Sequence, residues 1–222
     1  KLFSLLLLAG TLLSSGAFAA DKYGVLTYHD VVDESKPHVI ETDQNYKGEI
    51  LRQYYPQTIS IKKLIEHFNW LKVNGYQPVS WQQVRDAHDG KDTLPPKPVL
   101  LTFDDGYESF YRLVFPVLKA YRYPAVLALV THWQETPQGQ RVQYGNRTLP
   151  RSAFISWAQA REMHKSGLVE IASHTHNLHR SLTGNSFGSQ FAAALSGQYV
   201  NGRYETEVEY RQRIRDDLRK SA

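Results

Sequence analysis

Two short polar clusters carry the residue types that hydrolytic chemistry needs. Asp104-Asp105-Gly106 sets two carboxylates side by side, and His174, His176 and His179 place three imidazoles within six residues. A third cluster, Tyr28-His29-Asp30, adds another imidazole towards the N-terminal end. Adjacent carboxylates at a strand end point in different directions, so one can bind a metal while the other faces a substrate. Two imidazoles and a carboxylate form a facial set that leaves metal positions open for water and substrate. Each cluster alone has a plainer explanation. Asp-Gly is common in turns, and a single exposed histidine is an ordinary loop residue. Three histidines directly after an apolar run fit that explanation less well. His67, His88 and His164 fall on expected helices, and His38 and His132 in polar loops; these read as surface or internally satisfied residues.

The elements that must position these clusters are legible as alternating strands and helices. Val25–Tyr28, Lys97–Phe103 and Leu168–Ser173 are apolar runs of strand character, and each ends directly before one cluster. Ala125–Val130 is a further buried strand. Apolar residues at Ile61, Leu64, Ile65, Phe68 and Leu71 have helical spacing behind Ser60 as cap, and Gly75 ends that helix. Ser80 and Ser156 open further helices that stop at Gly90 and Gly167. Phe110, Val114, Val117, Leu118 and Tyr121 mark another, which Pro116 should kink. Residues 33–58 and 133–153 read as loops, and a charged helix is expected over about Glu205–Lys220. Strands alternating with helices predict an α/β fold with a mostly parallel sheet. In such folds sites gather at the carboxyl ends of the strands, so neighbouring strands would bring all three clusters to one rim. Which histidines would pair stays open on geometry. His174 and His176 would project to one side of an extended loop, whereas His179 needs a turn, which Asn177 suits.

Leu101-Thr102-Phe103-Asp104-Asp105-Gly106-Tyr107 resembles the first motif of the polysaccharide deacetylases, the NodB-homology or carbohydrate esterase family 4 enzymes. Ser173-His174-Thr175-His176-Asn177-Leu178-His179 resembles their second motif. Within the family the chain is similar to the periplasmic deacetylases of poly-β-1,6-N-acetyl-D-glucosamine, the biofilm polymer. That likeness rests on Tyr28-His29-Asp30-Val31, on Gly75-Tyr76-Gln77-Pro78-Val79-Ser80 and on the tract from Thr102 through Phe115-Pro116. Tyr204-Glu205-Thr206 and Glu209-Tyr210-Arg211 extend it towards the C-terminal end.

The resemblance implies a distorted or incomplete (β/α) barrel of the polysaccharide deacetylase type and metal-assisted hydrolysis of N-acetyl groups. It implies one divalent ion (Zn, or Fe, Co or Ni) held by Asp105, His174 and His179. Asp104 would be the base, His29 the acid that protonates the departing amine, and Tyr107 a substrate-binding residue through its backbone N–H. His174 and His179 are five positions apart rather than the family's usual four, a spacing shared with the biofilm group. The family's later motifs, an Arg-x-Pro-Tyr-like segment and a C-terminal histidine, do not occur before Ala222. The domain over residues 21–222 is therefore expected to be truncated at its C-terminal end and weak on its own. Deacetylation of another glycan (peptidoglycan or chitin-type), a glycan-binding fragment and a glycosidase remain the rival readings.

Composition sets the outer limits. The chain has 222 residues, 41% hydrophobic and 22% charged, which argues against disorder. The net charge of +4 is scattered without a basic block, which argues against nucleic acid as a partner. There are no cysteines, so disulfides, thiolate metal sites and a cysteine nucleophile are excluded for this sequence. Lys1, the apolar run over residues 2–13 and Ala17-Phe18-Ala19 have the pattern of a cleaved signal peptide over residues 1–20. Export to the periplasm or outer-membrane surface is expected, with acetylated polysaccharide as substrate and other exopolysaccharide export components as partners.

Overall fold

A computed structural model describes residues 22–35, 57–145 and 147–222. The expected signal peptide and most of the loop expected over 33–58 lie outside the described residues. The N-terminal half runs β1 (Gly24–Tyr28), β2 (Val31–Val32), β3 (Ile59–Ser60), α1 (Ile61–Val73), β4 (Gln77–Val79), α2 (Trp81–His88) and β5 (Pro98–Phe103). A wide π-type turn over Phe110–Val114 leads into α3 (Phe115–Tyr121), β6 (Ala125–Leu129) and α4 (Thr131–Glu135). Then come β7 (Arg141–Tyr144), β8 (Arg147–Pro150), α5 (Trp157–Lys165) and β9 (Val169–Ser173). Two small hairpins, β10 (Ser181–Thr183) with β11 (Gln190–Ala192) and β12 (Tyr199–Val200) with β13 (Arg203–Tyr204), precede α6 (Glu207–Ser221).

The central sheet is parallel, in the order β1-β5-β6-β9, with β4 pairing along the first half of β5. Among the described residues the sheet is open rather than closed into a barrel. β5, at the centre, is a continuous apolar run because it is buried on both faces, whereas β1 is exposed over most of its length. Leu101, Phe103, Leu127 and Leu129 join Leu64, Phe68 and Leu71 of α1, Phe115 and Leu118 of α3 and Met163 of α5 in one buried cluster. Each such side chain contributes roughly 1.5–3 kcal/mol by leaving water. The helices expected behind Ser60, Ser80 and Ser156 start there, and Thr206, not singled out in the sequence, caps α6. Ser80, Ser156 and Thr206 each form a reciprocal capping box, with Gln83, Gln159 and Glu209 respectively.

The helical run changes register at Pro116: residues 110–114 are π-type, the Phe115 N–H reaches back five residues to the Phe110 carbonyl, and Pro116, which has no N–H, stands in the first turn of α3. One expectation needs correction. Residues 133–153, expected as loop, include the end of α4 and the antiparallel hairpin β7–β8, in which Val142 pairs with Leu149 and Tyr144 with Arg147.

Candidate metal and catalytic site

Strand register brings the clusters together. Tyr28 lies opposite Phe103 in the β1–β5 pair, so His29 and Asp104 leave the sheet at the same level. The Asp104 N–H donates to the Tyr28 carbonyl at 2.9 Å, which extends that pairing by one residue. His29 Nε2 then stands 3.9 Å from Asp104 Oδ2. On the far side, Leu129 lies opposite Ser173, and the His174 N–H donates to the Leu129 carbonyl at 2.8 Å. All of this happens at the carboxyl ends of β1, β5, β6 and β9.

Asp105 turns inward. Its φ of 74° is left-handed, and Gly106 follows with φ 73°. Two consecutive left-handed residues reverse the chain abruptly, and only glycine fits the second place. A Cβ on Gly106 would lie 2.6 Å from Leu129 Cδ2 and 3.1 Å from Gln134 Nε2. The Asp105 side chain is wholly buried. Oδ2 accepts from the Tyr144 hydroxyl at 2.9 Å, while Oδ1 has no hydrogen-bond partner. Facing Oδ1 are His179 Nε2 at 3.4 Å and His174 Nε2 at 3.7 Å, both beyond ordinary hydrogen-bond length.

A buried carboxylate oxygen without a donor is unfavourable unless a cation takes the donor's place. The ligand atoms of Asp105, His174 and His179 lie within 4.8 Å of one another. Two imidazoles and a carboxylate suit a borderline divalent ion, so these residues fit a metal.

His176 is carried elsewhere. Thr175, between the first two histidines, has φ 73°, so the loop is not extended there and the two side chains part. His176 Nδ1 meets Thr131 Oγ1 at 2.9 Å, and its ring packs edge-on to His132 at 5.4 Å. In the turn that returns His179, Thr175 Oγ1 accepts the Leu178 N–H at 3.1 Å, and the chain bends at His176 and Asn177.

The family model for polysaccharide deacetylases matches residues 91–221. The chain belongs to the polysaccharide deacetylase family. The metal-dependent chemistry of that family accords with the cluster at Asp105. The chain is 41% identical over 209 residues to the poly-β-1,6-N-acetyl-D-glucosamine N-deacetylase of Escherichia coli K12, covering 93% of this chain and 29% of that protein. It thus spans less than a third of the length of that curated relative. Among solved structures it is similar to a de-N-acetylase from Aggregatibacter actinomycetemcomitans, with TM-score 0.79 and 51% identity over 90% of this chain and 72% of that one. It is also similar to the BpsB deacetylase domain from Bordetella bronchiseptica, with TM-score 0.74 and 44% identity over 90% and 73%.

Several residues of this deacetylase fold support the site in roles that the sequence did not announce. Tyr144, on β7, holds Asp105 and lies against the His179 ring, with centroids 5.6 Å apart. Trp133, on α4, meets the same ring edge-on at 5.1 Å. Asp30 is buried and accepts from Ser109 Oγ at 2.7 Å, fixing the chain directly after His29. Asp217, on α6, accepts the His176 and Asn177 N–H groups at 2.8 and 2.7 Å and so anchors the histidine loop. Buried Arg151 donates to the carbonyls of Gln134, Phe154 and Ile155, and the Ile155 N–H in turn donates to the Gly106 carbonyl. The hairpin was not read in the sequence, although Gly145-Asn146 is a turn-type pair that could have pointed to it; the reach of Tyr144 to Asp105 had no local signal.

Tyr107 has its side chain buried and stacked on Phe154 at 5.4 Å. Burial, with the charges at Tyr144 and Asp105, holds its hydroxyl far above the usual tyrosine pKa, so it stays neutral. What Tyr107 can offer a substrate is therefore its main chain.

Proposed function

We propose that this chain is a divalent-metal-dependent polysaccharide N-deacetylase acting on poly-β-1,6-N-acetyl-D-glucosamine after export to the periplasm or outer-membrane surface. The observation that carries the reading is the partnerless, buried Asp105 Oδ1 facing His174 and His179, with Asp104 and His29 facing each other beside it. The substrate reading is supported by the likeness to the poly-β-1,6-N-acetyl-D-glucosamine N-deacetylase of Escherichia coli.

Asp105, His174 and His179 would hold the ion. When bound, a divalent ion would supply Lewis acidity towards the acetyl carbonyl and a water acidified to about pKa 7. Asp104 takes the proton of the attacking water. His29 gives a proton to the sugar nitrogen as the C–N bond breaks, leaving acetate and a free amine. Acid–base assistance of this kind is worth about 10²–10⁴-fold in rate. The backbone N–H at Tyr107 is assigned to the oxyanion.

The test is acetate release from poly-β-1,6-N-acetyl-D-glucosamine, chitin oligomers and peptidoglycan, before and after chelation. Release from the first polymer, lost with the chelator and restored by Zn, Co, Ni or Fe, is expected. Equal release after exhaustive chelation would overturn metal dependence, and preference for chitin or peptidoglycan would overturn the substrate.

A further inference from the structure

A second group of ligand-type side chains stands beside the first and takes no part in the chemistry above. His132 and Glu135 are exposed and lie three residues apart on α4, so they share a face. His176, brought there by the left-handed Thr175, completes the group. One ligand atom from each of His132, Glu135 and His176 lies within 4.8 Å of the others. The set has the same chemistry as the first cluster, two imidazoles and one carboxylate.

His176 is also oriented. Its Nδ1 is engaged by Thr131 Oγ1 at 2.9 Å, which leaves Nε2 as the coordinating nitrogen. A hydrogen bond to the other ring nitrogen is the usual device that fixes a ligating histidine. The backbone is pinned on both strands of the approach. The Thr131 and His132 N–H groups donate to the Thr175 and His176 carbonyls at 3.2 and 3.0 Å, and Asp217 holds the His176 N–H. Lys220 and Arg180 lie near enough to His132 to oppose a cation, which sets this group below the first in expected affinity.

We propose that His132, Glu135 and His176 form a second, weaker binding site for a borderline divalent cation such as Zn, bridging α4 and the histidine loop. Occupancy would tie Thr131–Glu135 to the segment that carries His174 and His179. The site would therefore stiffen the loop that presents the first cluster without touching substrate.

The experiment is zinc binding to the metal-stripped full chain by equilibrium dialysis and titration calorimetry. The unaltered chain should bind two equivalents in two affinity classes. His132→Ala and Glu135→Gln should each weaken the second class at least tenfold and leave the first unchanged. Asp105→Asn should abolish the tighter class and leave the weaker. A single equivalent on the unaltered chain would overturn the proposal. So would a second equivalent that survives both His132→Ala and Glu135→Gln, because the ion would then sit elsewhere. Loss of the tighter class in His132→Ala with the protein still folded by circular dichroism would also overturn it, since the two groups would be one site. If instead the tighter class survives Asp105→Asn while the weaker one responds to His132→Ala, the reading of the first cluster fails and this one stands.

Discussion

At the scale of single residues, the two adjacent aspartates divide because one backbone angle sends them apart. Asp105 adopts a left-handed conformation and is buried, whereas Asp104 stays partly open beside His29. Asp105→Asn should therefore abolish binding of the tighter metal ion. Asp104→Asn should bind that ion normally and lose at least a hundredfold in acetate release. His29→Ala should behave like Asp104→Asn, with metal content intact and turnover down by at least a hundredfold. Metal analysis and acetate assays on the three variants decide it; equal metal loss at Asp104 and Asp105 would reverse the division. These roles could be anticipated from motif resemblance. What the sequence left open was the histidine pair, because the deciding feature is the positive φ of Thr175. A β-branched residue rarely adopts that angle, and nothing local announces it. A reading that assumed an extended loop put His174 and His176 on one side, and the left-handed turn separates them.

At the scale of elements, strands were legible wherever apolar runs ended in polar clusters, since β1, β5 and β9 are short and cut off sharply, although only β5 is buried along nearly its whole length. The hairpin β7–β8 was missed because its strands are polar on one side and lie in a tract broken by glycine, proline and asparagine. It matters, since it delivers Tyr144 to Asp105. Helix α6 was foreseen as charged and helical, but its attachment could not be. Its Asp217 accepts the backbone N–H groups of His176 and Asn177, which lie between His174 and His179, and so fixes the loop from outside. Asp217→Ala should lower affinity for the tighter metal ion about 10–100-fold, the usual effect of removing a residue that orients ligands. Chelator competition reads this directly. An unchanged affinity in a folded variant would mean that the loop holds its shape without Asp217, through its bonds to β6 and α4. The same scale explains Gly106. Gly106→Ala forces a Cβ against Leu129 and Gln134 and should reduce soluble yield or melting temperature.

At the scale of the whole molecule, the candidate metal cluster joins segments distant in sequence: the turn after β5 contributes Asp105 and the loop after β9 contributes His174 and His179. An ion that binds only this folded arrangement stabilises it by mass action, about 2.7 kcal/mol at a hundredfold excess over Kd. For a chain of this length each kcal/mol moves the melting temperature by roughly 2–4 °C. Metal at concentrations that fill only the tighter class should therefore raise it by about 5–10 °C, and chelation should reverse the rise. The stripped protein carries a burden in the same place, because Asp105 Oδ1 is buried with no donor. Asparagine at this position keeps an acceptor for the Tyr144 hydroxyl, removes the buried charge and tolerates the left-handed angle well. Asp105→Asn, stripped of metal, should thus melt at or above the temperature of the stripped unaltered chain, and low metal should no longer raise it. That crossing, in which the variant is the more stable without metal and the less stable with it, marks a residue kept for binding rather than for folding. Scanning calorimetry on both proteins, with and without metal, measures it. A stripped Asp105→Asn protein that melts well below the stripped unaltered chain would show instead that the carboxylate serves the fold.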